Sequence, residues 1–78
     1  MEINILFSRG IRKDYYNIEE IRFLERTAVL WSPDTNKHYF IPLVNVFRID
    51  VEDGEPANEQ GTIWRSVGKE NNEEKEGL

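Results

Sequence analysis

The side chains that could do chemistry near neutral pH are few in this 78-residue chain, and they are poorly spaced for catalysis. His38 is the one histidine, and so the one ordinary general base at pH 7. A base needs an acid or nucleophile within hydrogen-bond reach, and Tyr39 is its only adjacent candidate. A histidine opening a hairpin strand is ordinarily exposed, so the chain is read as non-enzymatic. Glu19 and Glu20 point to opposite faces if they lie in a strand, and serve as first-turn acids if they start a helix. Neither arrangement pairs them as acid and base. Asp50, Glu52, Asp53 and Glu55 offer oxygen ligands of the kind Mg²⁺ and Ca²⁺ take, but without the spacing of an EF-hand loop. A solvated strand end accounts for them. The absence of cysteine removes thiolate ligands, and a single histidine leaves no imidazole set for zinc. The five glycines are scattered, so no phosphate-cradling loop is present. No catalytic residue, metal site or cofactor is expected.

Two segments carry residues suited to binding. Between Ser8 and Tyr16, the cations Arg9, Arg12 and Lys13 stand beside Tyr15 and Tyr16, the ingredients of phosphate contact with base stacking. The rest of the chain adds no basic stripe, and its acidic end would repel a polyanion. The second segment is Ile63-Trp64, an apolar pair in polar surroundings. Tryptophan is a favoured interface anchor because it covers a large area with few rotamers. The pair either folds back on the domain or docks into another chain.

These residues are positioned by what reads as a string of short strands. Ile3, Ile5 and Phe7 alternate with polar neighbours, and Ser8-Arg9-Gly10 turns the chain. Ile21 and Phe23 alternate about Arg22, and Ala28–Trp31 is β-favouring, with Trp31 expected in the core. The rival is a short helix at about 18–26, with Asn17 as N-cap and Glu20 closing a capping box. Ser32–Lys37 is a turn by composition. His38–Ile41 then ends at Pro42, which has no N–H for a ladder. Phe47, Ile49 and Val51 alternate with Arg48, Asp50 and Glu52 and are expected to face the core. Residues 1–51 hold seven Lys/Arg and seven Asp/Glu, so the net charge of −5 lies wholly in residues 52–78. The expected organisation is a small β domain at 1–53. It is followed by a flexible, acidic C-terminal tail at 54–78 with a short apolar segment at 61–67. The fold class is all-β, a five-stranded antiparallel meander of SH3-like or related barrel type, with an α+β alternative if 18–26 is helical.

Ile41-Pro42-Leu43-Val44-Asn45 is similar to the Ile-Pro-x-Asn corner of SH3 domains, with one residue more. The other SH3 motifs are missing, so polyproline binding is not carried over. Tyr15, Asn17 and Ile18, followed by Tyr39, Ile41, Pro42, Leu43, Asn45, Val46 and Ile49, resemble a pattern in small phage and Gram-positive bacterial proteins. That pattern is Tyr-x-Asn-Ile followed by Tyr-x-Ile-Pro-Leu-x-Asn-Val. The resemblance spans roughly residues 2 to 53 and implies a fold rather than an activity. It suggests a protein-interaction module, a phage-type accessory or assembly protein that self-associates or docks a protein partner. Two other readings stay open: nucleic-acid binding by the 8–16 loop, and an anti-host factor whose acidic tail mimics nucleic-acid charge. The start of the chain lacks a basic region followed by a long apolar one, and no apolar run is long enough to span a bilayer. A cytoplasmic location without membrane association is therefore expected.

Overall fold

Eight strands, three more than the five expected, make up the computed structural model, which describes residues 1–67. The strands are β1 (Glu2–Phe7), β2 (Arg12–Tyr15), β3 (Glu20–Phe23), β4 (Thr27–Ser32), β5 (Lys37–Pro42), β6 (Val46–Glu52), β7 (Gly54–Pro56) and β8 (Ile63–Ser66). They form a three-stranded sheet in the order β2-β1-β6 and a five-stranded sheet in the order β5-β4-β3-β8-β7. All pairings are antiparallel. The chain is therefore all-β, and the two sheets do not close into a barrel. The helical alternative at 18–26 is not adopted. Asn17 takes a left-handed turn conformation at φ 58°, which asparagine tolerates, and Glu20 opens β3 instead of closing a helical cap.

The core lies between the sheets. Ile3 and Ile5 come from the smaller sheet, Ile21, Ala28, Leu30 and Ile41 from the larger, and Ile18 from the connection between them. Most of the expected core positions follow the alternation, but two aromatics do not. In β4 the buried residues are Ala28, Leu30 and Ser32, which turns Trp31 to the outer face and leaves it only half-buried. In β6 the register slips. Leu6 faces Arg48 while Phe7 faces Val46, so Phe47 is the unpaired extra residue of a bulge. Val46, Ile49 and Val51 are the half-buried residues, and Phe47 is 72% exposed.

Pro42 closes β5 without breaking it. The Leu43 N–H donates to the Arg26 carbonyl at 3.0 Å, and Arg26 and Leu43 continue the β4–β5 register. Alternation then turns the backbone groups of Lys37, Tyr39 and Ile41 toward β4, and those of His38, Phe40 and Pro42 to the open edge. Proline's missing N–H falls where no ladder partner exists among the described residues. A 3-10 turn at Leu43–Asn45 makes the corner into β6.

The ordered sheet continues past the boundary expected at residue 53. Asp53, at φ 62°, turns the chain into β7, and β8 then enters between β3 and β7, with Ile21 opposite Trp64. Asn58 holds the connecting loop. Its Oδ1 accepts from the N–H groups of Thr62 and Ile63 at 3.0 and 3.2 Å, and its Nδ2 donates to Thr62 Oγ1 at 2.7 Å. Residues 68–78, the C-terminal 11 of the 25 residues in the expected flexible tail, lie outside the described residues.

Candidate functional site

The loop and strand residues singled out for nucleic-acid contact are dispersed by the fold. Arg9 sits in the β1–β2 turn, beside a shallow depression of about 370 Å³ that includes Phe7, Ile11 and Asn45. Arg12 and Lys13 are successive in β2 and face opposite ways. Arg12 Nε donates to Asp14 Oδ1 at 3.1 Å, and Asn4 Nδ2 donates to the same oxygen at 2.6 Å. These bonds, that of Asn4 first, hold the Asp14 carboxyl below its ordinary range, and the Asp14 partner raises the pKa of Arg12. Tyr15 is half-buried, its ring 5.3 Å from that of Tyr39 and tilted by 51°. Burial pushes its hydroxyl up. Tyr16 is exposed. Three cations and two tyrosines adjacent in sequence thus form no single surface.

Ile63 and Trp64 also part company. Trp64 follows the Ile21 side of the sheet, packs against the core, and donates its Nε1–H to the Gly61 carbonyl at 2.9 Å. Ile63 lies opposite Arg22 on the outer face. Of the two readings of this pair, the tryptophan takes the fold-back one.

His38 has neither an acid nor a nucleophile as its ring neighbour. It stacks on Trp31 with centroids 4.5 Å apart at 29°, and the ring of Phe40 lies 6.4 Å away on its other side. Asp50 pairs with Arg48 at 3.1 Å. Among the described residues, no group of three or more His, Cys, Asp or Glu side chains could hold a metal ion.

The feature that sequence reasoning missed is the outer face of the five-stranded sheet. Registers Val29↔Phe40 and Trp31↔His38 place four apolar or aromatic side chains side by side on β4 and β5. Both pairs occupy non-hydrogen-bonded sites, where opposed side chains approach most closely. Phe40 is 66% exposed. The patch gives way to charge toward β3 and β8, where Glu20 accepts hydrogen bonds from Arg22 Nε and, at 3.1 Å, from Arg65 Nε. These bonds hold the Glu20 carboxyl below its ordinary range, that of Arg22 most of all. The signal was present in the sequence. Ala28–Trp31 and Tyr39–Ile41 are apolar at successive positions, which in a strand means apolar side chains on both faces.

No family model, curated protein or solved structure matches this chain. No helix among the described residues is long and apolar enough to cross a membrane.

Proposed function

We propose that the chain is a non-enzymatic protein-interaction module that binds through the outer face of its five-stranded sheet. The observation that carries this reading is the Val29, Trp31, His38 and Phe40 cluster, aromatic side chains on the face that does not pack on the core. A face built this way suits protein contact, because rigid aromatics bury area with little loss of side-chain entropy. The flanking Glu20, Arg22 and Arg65 form a polar rim whose charges largely satisfy one another. The resemblance to small phage and Gram-positive proteins supports an accessory or assembly role for such a module. Nucleic-acid binding by the 8–16 loop draws less support, since Arg12 is engaged by Asp14 and Tyr15 is turned inward.

The test is site-specific photo-crosslinking in the cells that make the protein. A benzophenone side chain at position 29, on the outer face, should yield protein adducts. The same group at position 48, on the outer face of the smaller sheet, should yield none above background. Equal yields at both positions, or none at position 29, would remove the reading.

A further inference from the structure

Four strands end the two sheets, and three of them are protected against pairing with another chain. β2 is four residues long and carries Arg12, Lys13 and Asp14. β6 is bent by the Phe47 bulge and presents Arg48, Asp50 and Glu52. β7 has three residues and ends in Pro56. Short length, charge, bulges and proline are the devices that keep sheet edges from adding strands. β5 lacks them over its middle. Its six residues contain one formal charge, Lys37, at one end, and Pro42 at the other. Between these limits His38 and Phe40 direct their N–H and C=O groups away from β4, without a ladder partner among the described residues.

We propose that this edge pairs with the same edge of a second copy, β5 antiparallel to β5, joining two five-stranded sheets into one continuous sheet. The inference goes beyond the face contact argued above: it uses the edge beside that face, which edge pairing extends without covering, and its partner is a second copy. The register follows from the donors available. With His38 opposite Phe40 of the second copy, both residues exchange N–H and C=O bonds in both directions, and no central group is left over. Sliding the strands to place Phe40 opposite Phe40 leaves the His38 carbonyl facing Pro42, which has no donor. Sliding the other way brings in Asn36, whose N–H already donates to the Pro33 carbonyl at 3.2 Å. In the favoured register Tyr39 lies on the two-fold axis, Lys37 faces Ile41, and the two lysines sit at opposite ends. Cross-strand His38–Phe40 pairs then extend each Trp31–His38 stack, so the aromatic row runs across the junction on one face.

Charge favours this edge over the opposite one. The acids Glu52, Asp53 and Glu55 lie at and beside β7, four strand positions from β5. At about 4.8 Å per strand that is roughly 19 Å. The Debye length is about 8 Å at physiological salt, so two copies meeting at β5 scarcely feel that repulsion.

The experiment combines light scattering with amide hydrogen exchange on the full chain over a range of concentrations. The apparent mass should rise toward twice the 9.2 kDa of one chain. The amide protons of His38 and Phe40 should become protected over the same range. His38→Pro removes a donor that points away from β4, so the intrachain ladder survives. Phe40→Lys puts a charge in the centre of the edge. Each should weaken association about tenfold or more, from the lost interchain bonds or the charge, while spectra report an intact sheet. A single-chain mass at every concentration overturns the proposal, as does a dimer unchanged in both variants or one whose His38 and Phe40 amides still exchange freely. Photo-adducts at position 29 with a different protein, from a chain that stays monomeric, would leave the interaction module standing and remove only the second copy.

Discussion

Glu20 ties two strands together through one carboxylate, since Arg22 lies on its own strand and Arg65 on β8. Both guanidinium groups are more than half exposed, so solvent screens the pairs and their joint contribution is up to ~1 kcal/mol. Glu20→Gln should therefore lower the melting temperature at pH 7 by up to about 4–8 °C for a domain of this size. The sign with pH follows from the depressed folded pKa. The stabilisation is complete above the unfolded glutamate value of about 4.3, and it is lost as pH falls through the lower folded value. Melts of both proteins at pH 7 and near pH 2 should converge at the acid end; a gap of constant size would mean that the ion pairs contribute nothing. The partnership with Arg22 follows from a two-residue spacing that is visible in the sequence. The one with Arg65 does not, since it depends on a strand pairing 45 residues away. Phe47 is a similar case. Its alternation with Ile49 and Val51 pointed inward, and a bulge, which leaves no period-two signature, turned it out.

At the scale of elements, β8 holds the far side of the larger sheet together, because it sits between β3 and β7. Ending the chain after Asp53 deletes β7 and β8, leaves β3 as a bare edge, and strips Trp64 from the core. That truncated chain should lose cooperative unfolding in urea, whereas ending it after Val67 should not. Trp64→Ala in the full chain should cost about 2–4 kcal/mol, at or below the usual range for a buried tryptophan because this one is only half-buried. A truncated chain that unfolds with the full-length midpoint would show that β8 is dispensable. β1, β3, β4, β5 and β6 were legible from alternation or β-favouring apolar runs, whereas β2, Arg12–Tyr15, is charged and lay inside the stretch read as the 8–16 loop. β7 and β8 were not legible, since Gly54–Pro56 and Ile63–Ser66 are too short and polar to announce themselves. What orders them is the ladder with β3, contributed by the rest of the chain, together with the Asn58 loop that joins the two strands.

The whole molecule is a small chain with a single core, and a chain of this size has about 4–12 kcal/mol of stability to lose. Ile21 is fully buried and is paired on one side with Leu30 and on the other with Trp64. Ile21→Ala should cost about 2–5 kcal/mol, a large share of that stability, readable as a lowered urea midpoint. A loss below 1 kcal/mol would mean that the two sheets do not share this core. The fold class was legible because alternation and turn composition recur along the chain. The division into a three- and a five-stranded sheet was not, because β1 takes β6 as its second neighbour and β3 takes β8. Such pairings depend on how distant faces pack rather than on any local run. The aromatic surface on β4 and β5 was half legible: the successive apolar residues imply two apolar faces, and the register adds which of them Trp31 occupies.

The position of β8 also orders events in time. During synthesis, at about 5–20 residues per second, β3 through β5 can form while the partner of β3 has yet to be made. For those seconds Ile21 and the open side of β3 are presented to any neighbouring chain, including another nascent copy. Closure requires a pairing that spans most of the chain, which places folding toward the slower, millisecond-to-second range typical of non-local β topologies. The last strand among the described residues is thus the one that seals the middle strand of the larger sheet.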